Sequence, residues 1–533
     1  MPRFWNNPEF VRHRRAELRP VRAITVGVVV LLMCLLIGLA CWSYEQNLLA
    51  NAQRGAETFA TDAWRRRAEF LEGHLARNTW LLLYRWLVGL QGIALTFWAL
   101  FSCAQSVSGE RDHKTWDFQR TTRLTATETL IGKLLGEPIL IYFAVLCASP
   151  VTFIAGLAGG LSFGAVISVF VFFVVLSMFL GLGGMWLSTL LESRTRGVGL
   201  IGALALYGFT LAIYGMHDSG LPGLAAMSPL TGIVDLLGFS PDSRLGMALP
   251  PLFSRQIPWL LMSVLLCCSF SAWLALMLVR NLKRDYPEIR PLSRWQAVSC
   301  AAFLNFLIYA LLSPVYQLSI EGKVGWFPDA KSVAVFAVGM NGLILFLMGL
   351  ATLTPQERLK VWRRRRVTGE SNIFADDGLP WPWLGLSAIV AYALMIWGLL
   401  AWDHTFPLEM STLQTSAIRL LLVLVFVTRD VLFLQWCMLT RLRQPIVKGA
   451  LFLGLYYGAA AVLTGLAAVS SEHGAHTMLA LLTPVQVFDP DVHGIAFPAA
   501  TYVGLALQAG AIGAVLLAIT NRLQRPLQRG AAA

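Results

Sequence analysis

Charged residues are scarce in this chain of 533 residues, at 14% against a hydrophobic share of 56%. Soluble domains carry roughly 25% charged residues. So little charge cannot cover the surface of ordinary water-soluble domains, which excludes a soluble globular protein. The composition therefore predicts an integral membrane protein.

A phosphate-binding loop is also missing. No stretch matches Gly-x-x-x-x-Gly-Lys followed by Ser or Thr, because Gly132-Lys133 precedes Leu and Gly322-Lys323 precedes Val. No soluble stretch is long enough for an ATPase domain, and no catalytic triad or carboxylate dyad stands out. The sequence thus predicts no catalytic residue, no cofactor and no metal site, so the chain is not expected to be an enzyme.

Cysteines are few, and their placement excludes a disulfide framework. The eight cysteines all fall within or at the ends of apolar stretches, and none lies in a polar loop. A framework of disulfides or a zinc motif needs cysteines at regular spacings in polar segments. We therefore expect neither in this chain.

Long apolar runs are abundant. A transmembrane helix needs about 20 apolar residues, and twelve stretches meet that requirement. The expected fold class is an all-α polytopic membrane protein with about twelve transmembrane helices. The predicted spans are residues 23–43, 80–104, 136–157, 163–190, 198–215, 257–280, 297–317, 334–354, 383–402, 416–439, 449–469 and 498–520.

Basic residues outnumber acidic ones by 42 to 30, and their distribution predicts the topology. With twelve crossings, most Lys and Arg fall on the side that holds both termini, above all in loops 105–135, 280–296 and 355–382. The positive-inside rule places that side in the cytoplasm. This asymmetry explains the net charge of +12 without nucleic acid as a partner.

Residues 6–20 predict a separate amphipathic helix before the first span. Asn7 can cap a helix that begins at Pro8, with Glu9 in its first turn. An apolar side marked by Phe10 opposes several arginines, so we expect this helix to lie on the inner leaflet. A plain basic flank that sets orientation is the alternative.

Short sequence matches recur in the same order about six helices apart. The loop from Glu110 reads ERDHKTWDFQR, and the loop from Glu357 reads ERLKVWRRRR. Two further pairs follow the same order, namely SRTRGVGLIGALALYG with TRLRQPIVKGALFLGLYYG and LAAMSPLTGIVDL with LALLTPVQVFDPD. The repeats predict two parallel six-helix modules in tandem, at residues 1–281 and 282–533.

The polar insert at residues 108–133 interrupts apolar sequence with acids, bases, aromatics and a Thr-rich tail. Such a segment can place an amphipathic face in a groove of another protein. A solvated loop that enforces topology is the alternative, but it does not require Trp116 or Phe118. For the Arg-rich loop 355–382, anionic lipid headgroups would suffice as a partner.

The insert resembles a signature of type-2 ATP-binding-cassette exporter permeases, in which a coupling helix contacts the ATPase. The N-terminal stretch NPEFVRHRRAELRPVR resembles the elbow helix of that family. Lys114 departs from the pattern, since the family usually has Gly there. The matching positions are Ser108, Glu110, Arg111, Thr115, Leu124, Ile131, Gly132 and Lys133.

This resemblance implies a membrane-spanning permease of an ATP-driven exporter. It implies that ATP is hydrolysed by separate ABC ATPase subunits, two copies in all, and that the membrane is a bacterial inner membrane. The residues expected to couple to the ATPase are Glu110, Arg111, Thr115, Trp116 and Phe118 in the first module, and Glu357, Arg358 and Trp362 in the second.

Polar residues within the predicted spans are candidates for a translocation path, because such residues are costly in a membrane. They are Arg429, Asp430, Asn305 and Asn341. Adjacent helical positions point about 100° apart, so Arg429 and Asp430 are expected to find partners on other helices and not simply to pair. Hydrogen bonding that holds the helices together is the alternative for all four residues.

Two other classes of protein remain as alternatives. An ion- or proton-coupled secondary transporter also suits twelve helices with repeats, but it needs acids within the spans, and only Asp430 lies deep. A membrane-embedded transferase is less favoured, since the first outer loop has only Glu45 before a neutral run to Glu57.

Overall fold

The computed structural model describes most of the chain and leaves short segments between helices out. The described residues are 7–59, 61–112, 114–115, 124–190, 196–212, 228, 259–282, 292–320, 330–403, 410–440, 445–470, 482–484 and 499–531. Within them every regular element is an α-helix, and no strand occurs. This confirms the predicted all-α fold class. Most of the repeated stretches that begin at Leu224 and Leu479 lie outside the described residues.

Fifteen helices are described. They are α1 (Pro8–Glu17), α2 (Pro20–Phe59), α3 (Asp62–Asp112), α4 (Ala126–Gly136), α5 (Ile139–Ala158), α6 (Phe163–Leu190), α7 (Arg196–Ala212), α8 (Trp259–Asn281), α9 (Arg294–Ile320), α10 (Ala330–Ala351), α11 (Gln356–Val367), α12 (Trp381–Asp403), α13 (Met410–Met438), α14 (Pro445–Ser470) and α15 (Ala499–Ala531).

Among the described helices, ten are long and apolar enough to cross a membrane. The two remaining predicted spans coincide with α7, whose apolar part Ile201–Ala212 is shorter, and with α13. Each of the twelve predicted spans therefore overlaps a helix within the described residues, while residues 213–215, 257–258 and 498 lie outside them. The chain is an integral membrane protein with many spans.

The chain separates into two compact units. The first comprises residues 1–218, 222–249 and 257–289, and the second comprises residues 219–221, 250–256 and 290–533. The prediction that residues 1–281 and 282–533 are two equivalent permease modules stays a prediction.

In the first unit, α3 is the central helix and packs against α2, α5, α6 and α7. Small residues let α3 and α6 approach closely, since a Cβ on Gly184 would overlap the Leu100 carbonyl oxygen. Ser188 of α6 also accepts hydrogen bonds from the backbone N–H groups of Val107 and Ser108, at 3.1 and 2.9 Å. Small residues at such contacts are typical of membrane helix pairs.

In the second unit, α13 packs against α10, α12, α14 and α15. A Cβ on Gly342 of α10 would overlap the Val423 side chain of α13, so these two helices are also in close contact. Tyr309 and Trp402 fill the interface between α9 and α12, where the indole N–H of Trp402 donates to the Tyr309 carbonyl at 3.1 Å.

Candidate functional site

The polar insert begins as the last turn of α3. Glu110 and Arg111 lie in this turn, and Lys114 and Thr115 form an exposed turn directly after it. Two residues expected to couple to the ATPase, Trp116 and Phe118, lie outside the described residues.

The turn at Lys114 has the hydrogen bonds of a Schellman helix end. The N–H of Thr115 donates to the Glu110 carbonyl at 3.0 Å, and that of Lys114 donates to the Arg111 carbonyl at 3.1 Å. In this motif the Lys114 position takes a left-handed conformation, and its φ is 56°. Glycine adopts that conformation without strain, which explains why a Gly suits this position in the resembling family.

The Thr-rich tail of the insert starts helix α4. Thr125 and Glu128 form a reciprocal capping box, with Glu128 N–H donating to Thr125 Oγ1 at 3.2 Å and Thr125 N–H donating to a Glu128 carboxylate oxygen at 2.8 Å. This arrangement satisfies two backbone N–H groups at the helix start. It fixes where α4 begins.

Glu110 joins three helices through ion pairs. Its carboxylate lies 2.5 Å from Lys133 Nζ of α4 and 2.9 Å from Arg12 Nη2 of α1. Lys133 is fully buried and Glu110 is 13% exposed at its side chain. Glu110 is therefore largely engaged within its own chain, and it ties the end of α3 to α1 and α4.

Helix α1 forms as predicted, with the Asn7 side chain accepting from Glu9 N–H and Pro8 in the first turn. Its position is set by two glycines of α4, on which it packs. A Cβ on Gly132 would lie 2.6 Å from Glu9 Cβ, and one on Gly136 would lie 2.9 Å from His13. These contacts require glycine at both positions.

Glu9 completes the charged cluster between α1 and α4. Burial by itself raises the pKa of Glu9, but the hydrogen bond with His13 and the charges of Lys133 and Arg12 outweigh burial and lower it. The pKa of Arg12 is raised, because its contacts with Glu110 and Glu9 outweigh the effect of burial. We name Glu9, Arg12, Glu110 and Lys133 the α1 ionic cluster. Sequence reasoning found Glu110 but missed Glu9 and Arg12 as its partners.

Arg111 links the insert to α6. Its guanidinium donates to the Thr189 carbonyl at 3.3 Å, next to Ser188, which accepts from the backbone of α3. The last turn of α3 is thus attached to α6 on one side and to α1 and α4 on the other.

The second predicted coupling segment contains helix α11. Glu357 has an 83% exposed side chain that pairs with Lys360 at 3.2 Å. Arg358 lies 3.7 Å from Asp377. Trp362 faces inward, is 5% exposed and packs with Leu359, while its indole N–H donates to the Asn372 carbonyl at 3.1 Å. The exposed side of α11 is therefore formed by Glu357 and the arginines, and Trp362 anchors it.

Arg294 organises the region around α11, a role that sequence patterns did not predict. It is 1% exposed at the start of α9. Its guanidinium donates to oxygens of Thr352, Thr354, Ala375, Gly378 and Leu379, at 2.6 to 3.3 Å. The positive-inside rule already accounts for a single Arg before an apolar span. The sequence therefore did not distinguish Arg294 from other flanking arginines.

Arg429 and Asp430 pair with each other, contrary to expectation, and they also have the expected partners on other helices. Arg429 Nε and Nη2 donate to Asp430 Oδ1 at 2.8 and 2.6 Å. The long arginine side chain bends back along α13, which overcomes the difference in direction. Both residues also bind α14, since Tyr457 OH donates to Asp430 at 2.6 Å and Arg429 donates to Tyr456 OH at 3.0 Å.

The two candidate asparagines lie at the interface of α9 and α10. The Asn341 side chain donates to Tyr309 OH, and Asn305 stands one turn before Tyr309 on the same face of α9. Both asparagines are at most 2% exposed. Their carboxamide oxygens have no hydrogen-bond partner among the described residues. This polar patch holds two open acceptors within the second unit.

The fold and these contacts define a polytopic helical membrane protein in which a polar segment at the end of α3 is held by ion pairs to α1 and α4. Residues 18–238 match the family model described as ABC-2 type transporter. The match covers α2 to α7 and includes the polar insert, which confirms the resemblance. Residues 18–238 are thus similar to the membrane domain of type-2 ABC transporter permeases, and the length of 533 residues is consistent with a tandem-fused form. Comparison with curated proteins and with solved structures found no match.

Proposed function

We propose that the chain is the membrane-spanning permease subunit of an ATP-driven exporter, working with two copies of a separate ABC ATPase subunit. The observation that carries this proposal is the match of residues 18–238 to the ABC-2 type transporter family. This sequence holds no phosphate-binding loop, which supports the placement of ATP hydrolysis on a separate subunit.

The first ATPase contact is proposed at residues 108–133. The exposed turn at Lys114 and Thr115 would form part of the docking surface, and Trp116 and Phe118 follow it in the sequence. Glu110 and Arg111 act behind that surface, because their side chains hold α1, α4 and α6. Movement of the ATPase against the turn would thus be passed to three helices at once.

The second contact is proposed at residues 355–382. Exposed Glu357 and partly exposed Arg358 would face the partner, and buried Trp362 would keep α11 fixed to the unit. In this scheme ATP binding closes the ATPase pair, pushes on both segments and tilts the helices that carry them. A path for cargo then opens to the other side of the membrane.

The polar patch of Asn305, Tyr309 and Asn341 is the proposed contact for cargo in the second unit. Its two open carboxamide oxygens can accept hydrogen bonds from a polar group. Arg429 and Asp430 are weaker candidates, since their hydrogen bonds are already made with each other and with α14.

Both termini are proposed to be cytoplasmic, in a bacterial inner membrane. The excess of Lys and Arg in loops on the side of the termini supports this orientation. A secondary transporter driven by ions or protons would need a carboxyl group that is free to exchange, and Asp430 accepts from both Arg429 and Tyr457.

The test is co-purification with an ATPase. The tagged full chain is purified in mild detergent from its own host, and the eluate is assayed for ATP hydrolysis. Trp116→Ala and Glu357→Arg should each reduce the ATPase recovered, because both alter the proposed docking surfaces. Glu357 is suitable because its side chain is exposed and its ion pair with Lys360 is local.

The matched control is Glu57→Arg, which reverses an exposed charge near the end of α2, away from the polar segments. It should retain the ATPase. A chain that purifies without an ATPase, and transports in response to a proton or sodium gradient, would contradict the proposal.

A further inference from the structure

A groove on the membrane-exposed side of the first unit has no role in the proposed function. It lies between α2, α3 and α5, and its volume is about 430 Å³. Small-molecule sites span roughly 300–1,000 Å³. No charged side chain lines it, and its walls include Leu35, Gly38, Trp42, Trp80, Leu83 and Val151.

The groove lies beside a helix surface that the rest of the protein leaves uncovered. The most apolar window of α2 is only 11% buried within the protein, so most of that helix surface faces the surrounding membrane. Exposed side chains of α2 next to the groove, such as Leu31 and Leu35, are apolar. An apolar groove in such a position is open to acyl chains from the side.

Gly38 gives the groove its depth. It lines the cavity, and the nearest atom to a Cβ placed there would be Leu83 Cδ2 at 3.8 Å. An alanine would therefore fit in ordinary contact, while a larger side chain would occupy the groove itself.

A buried carboxylate lies on the same face of α2 one step beyond the residues that line the groove. Leu31, Leu35, Gly38 and Trp42 line the cavity at alternating spacings of four and three residues, and Glu45 is the next position in that pattern. Glu45 is 8% exposed, and its Oε2 has no hydrogen-bond partner among the described residues. A buried carboxylate without a partner is costly, so this end of the groove suits a cation.

We propose that the groove binds one chain of a membrane lipid with an amine headgroup, of the phosphatidylethanolamine class. The acyl chain lies along Leu31, Leu35 and Gly38, and the ammonium group binds the Glu45 carboxylate. Trp42 stands between these two parts, and tryptophan is enriched at the boundary between the apolar core and the headgroups. The site is independent of the direction of transport.

The test uses the full chain in nanodiscs that contain a phosphatidylethanolamine with a photoreactive group in its acyl chain. Cross-linked peptides are mapped by mass spectrometry, and phosphatidylglycerol with the same reactive chain is the comparison probe. A charged hydrogen bond is worth about 1.5–3 kcal/mol, so about tenfold more labelling of α2 and α3 is expected with the amine probe.

Glu45→Gln should remove that preference and leave the two probes equal. Glu57→Gln, at an exposed position of the same helix, should keep it. The comparison of these two variants tests the contact between the headgroup and Glu45, because neither substitution alters the shape of the groove. Equal labelling by both probes in the unaltered chain would overturn the proposal.

Gly38→Leu fills the groove and should reduce labelling by both probes at least fivefold, while Gly38→Ala should reduce it less. Ala40→Leu is the matched control, because Ala40 is exposed on α2 and does not line the cavity. If Gly38→Leu and Ala40→Leu are labelled alike, the lipid is merely adjacent to the protein and the groove is not its site.

Discussion

Glu110 Oε2 and Lys133 Nζ lie 2.5 Å apart, and together they join the two ends of the polar insert. The lysine is fully buried and also lies 3.6 Å from Glu9 of α1. One cation thus serves carboxylates from two other helices. Because a buried charge requires its partners, loss of the lysine affects both carboxylates at once.

Lys133→Met should therefore destabilise the protein by about 3–5 kcal/mol, the cost typical of breaking a buried pair. Adding Glu110→Gln should recover part of this loss, because it removes a carboxylate left without its cation. Thermal unfolding of the purified chain in detergent measures both effects. The exposed pair gives the control, since Lys360→Met should cost less than about 1 kcal/mol. If Glu110→Gln changes the free energy of unfolding equally in the unaltered chain and in the Lys133→Met variant, the two residues are not energetically paired.

Gly132→Ala should loosen helix α1, because the added methyl group would lie 2.6 Å from Glu9 Cβ. Overpacking of this kind costs about 1–3 kcal/mol. Hydrogen exchange of residues 8–17 should rise in the variant. Gly73→Ala is the matched control, because nothing lies within 4 Å of its Cβ and the helix should gain stability. Unchanged exchange in Gly132→Ala would mean that α1 is not held by this contact.

Lys114→Gly should stabilise the chain by about 0.5–1 kcal/mol. A left-handed conformation costs a residue with a side chain about 1–2 kcal/mol, and glycine avoids that cost. Part of this gain is lost because glycine has more conformational freedom in the unfolded chain. The φ of 56° at Lys114 motivates the change. The melting temperature is the measurement. Thr115→Gly, one position later, should bring no gain. A loss of stability in Lys114→Gly would show that its side chain makes a necessary contact.

Arg294→Lys should release the region between α10 and α12, because an ammonium group cannot reach the five oxygens that the guanidinium binds. Each buried acceptor left without a donor costs about 1–3 kcal/mol. Hydrogen exchange should increase over residues 368–380. The exposed Arg365→Lys should leave it unchanged. If hydrogen exchange of residues 368–380 is equally slow in both variants, Arg294 does not hold this region in place.

Asp430→Leu should cost about 3–5 kcal/mol, because it leaves buried Arg429 without its carboxylate. The double variant Arg429→Met with Asp430→Leu should be more stable than the single one, since no charge remains buried. Thermal unfolding in detergent compares the three proteins. If transport is lost in the double variant although its stability is restored, the pair has a function beyond joining α13 to α14.

Local features of the fold were predictable from the sequence. The Asn7 cap, the start of α1 at Pro8 and the helical position of all twelve spans follow from capping and hydropathy, which depend on neighbouring residues. The insert at residues 108–133 was also identified correctly as a distinct polar segment, because its composition contrasts with both flanks.

Partners distant in sequence were not predictable. Nothing in the chain pairs Arg12 with Glu110 or Arg294 with the carbonyl of Leu379, because these contacts depend on how the helices pack. The pairing of Arg429 with Asp430 was missed for a different reason. The helical angle between positions describes the backbone, while a long flexible side chain can fold back over it.

The length of α3 connects the polar insert to a helix end far from it. Its 51 residues form one continuous helix of about 75 Å, more than twice the thickness of the apolar core of a bilayer at roughly 30 Å. Such a rod works as a lever. A tilt of about 5° moves its ends by roughly 7 Å relative to each other over that length. A small displacement of the helix end at Glu110 would therefore also displace the opposite end at Asp62, without any helix having to bend.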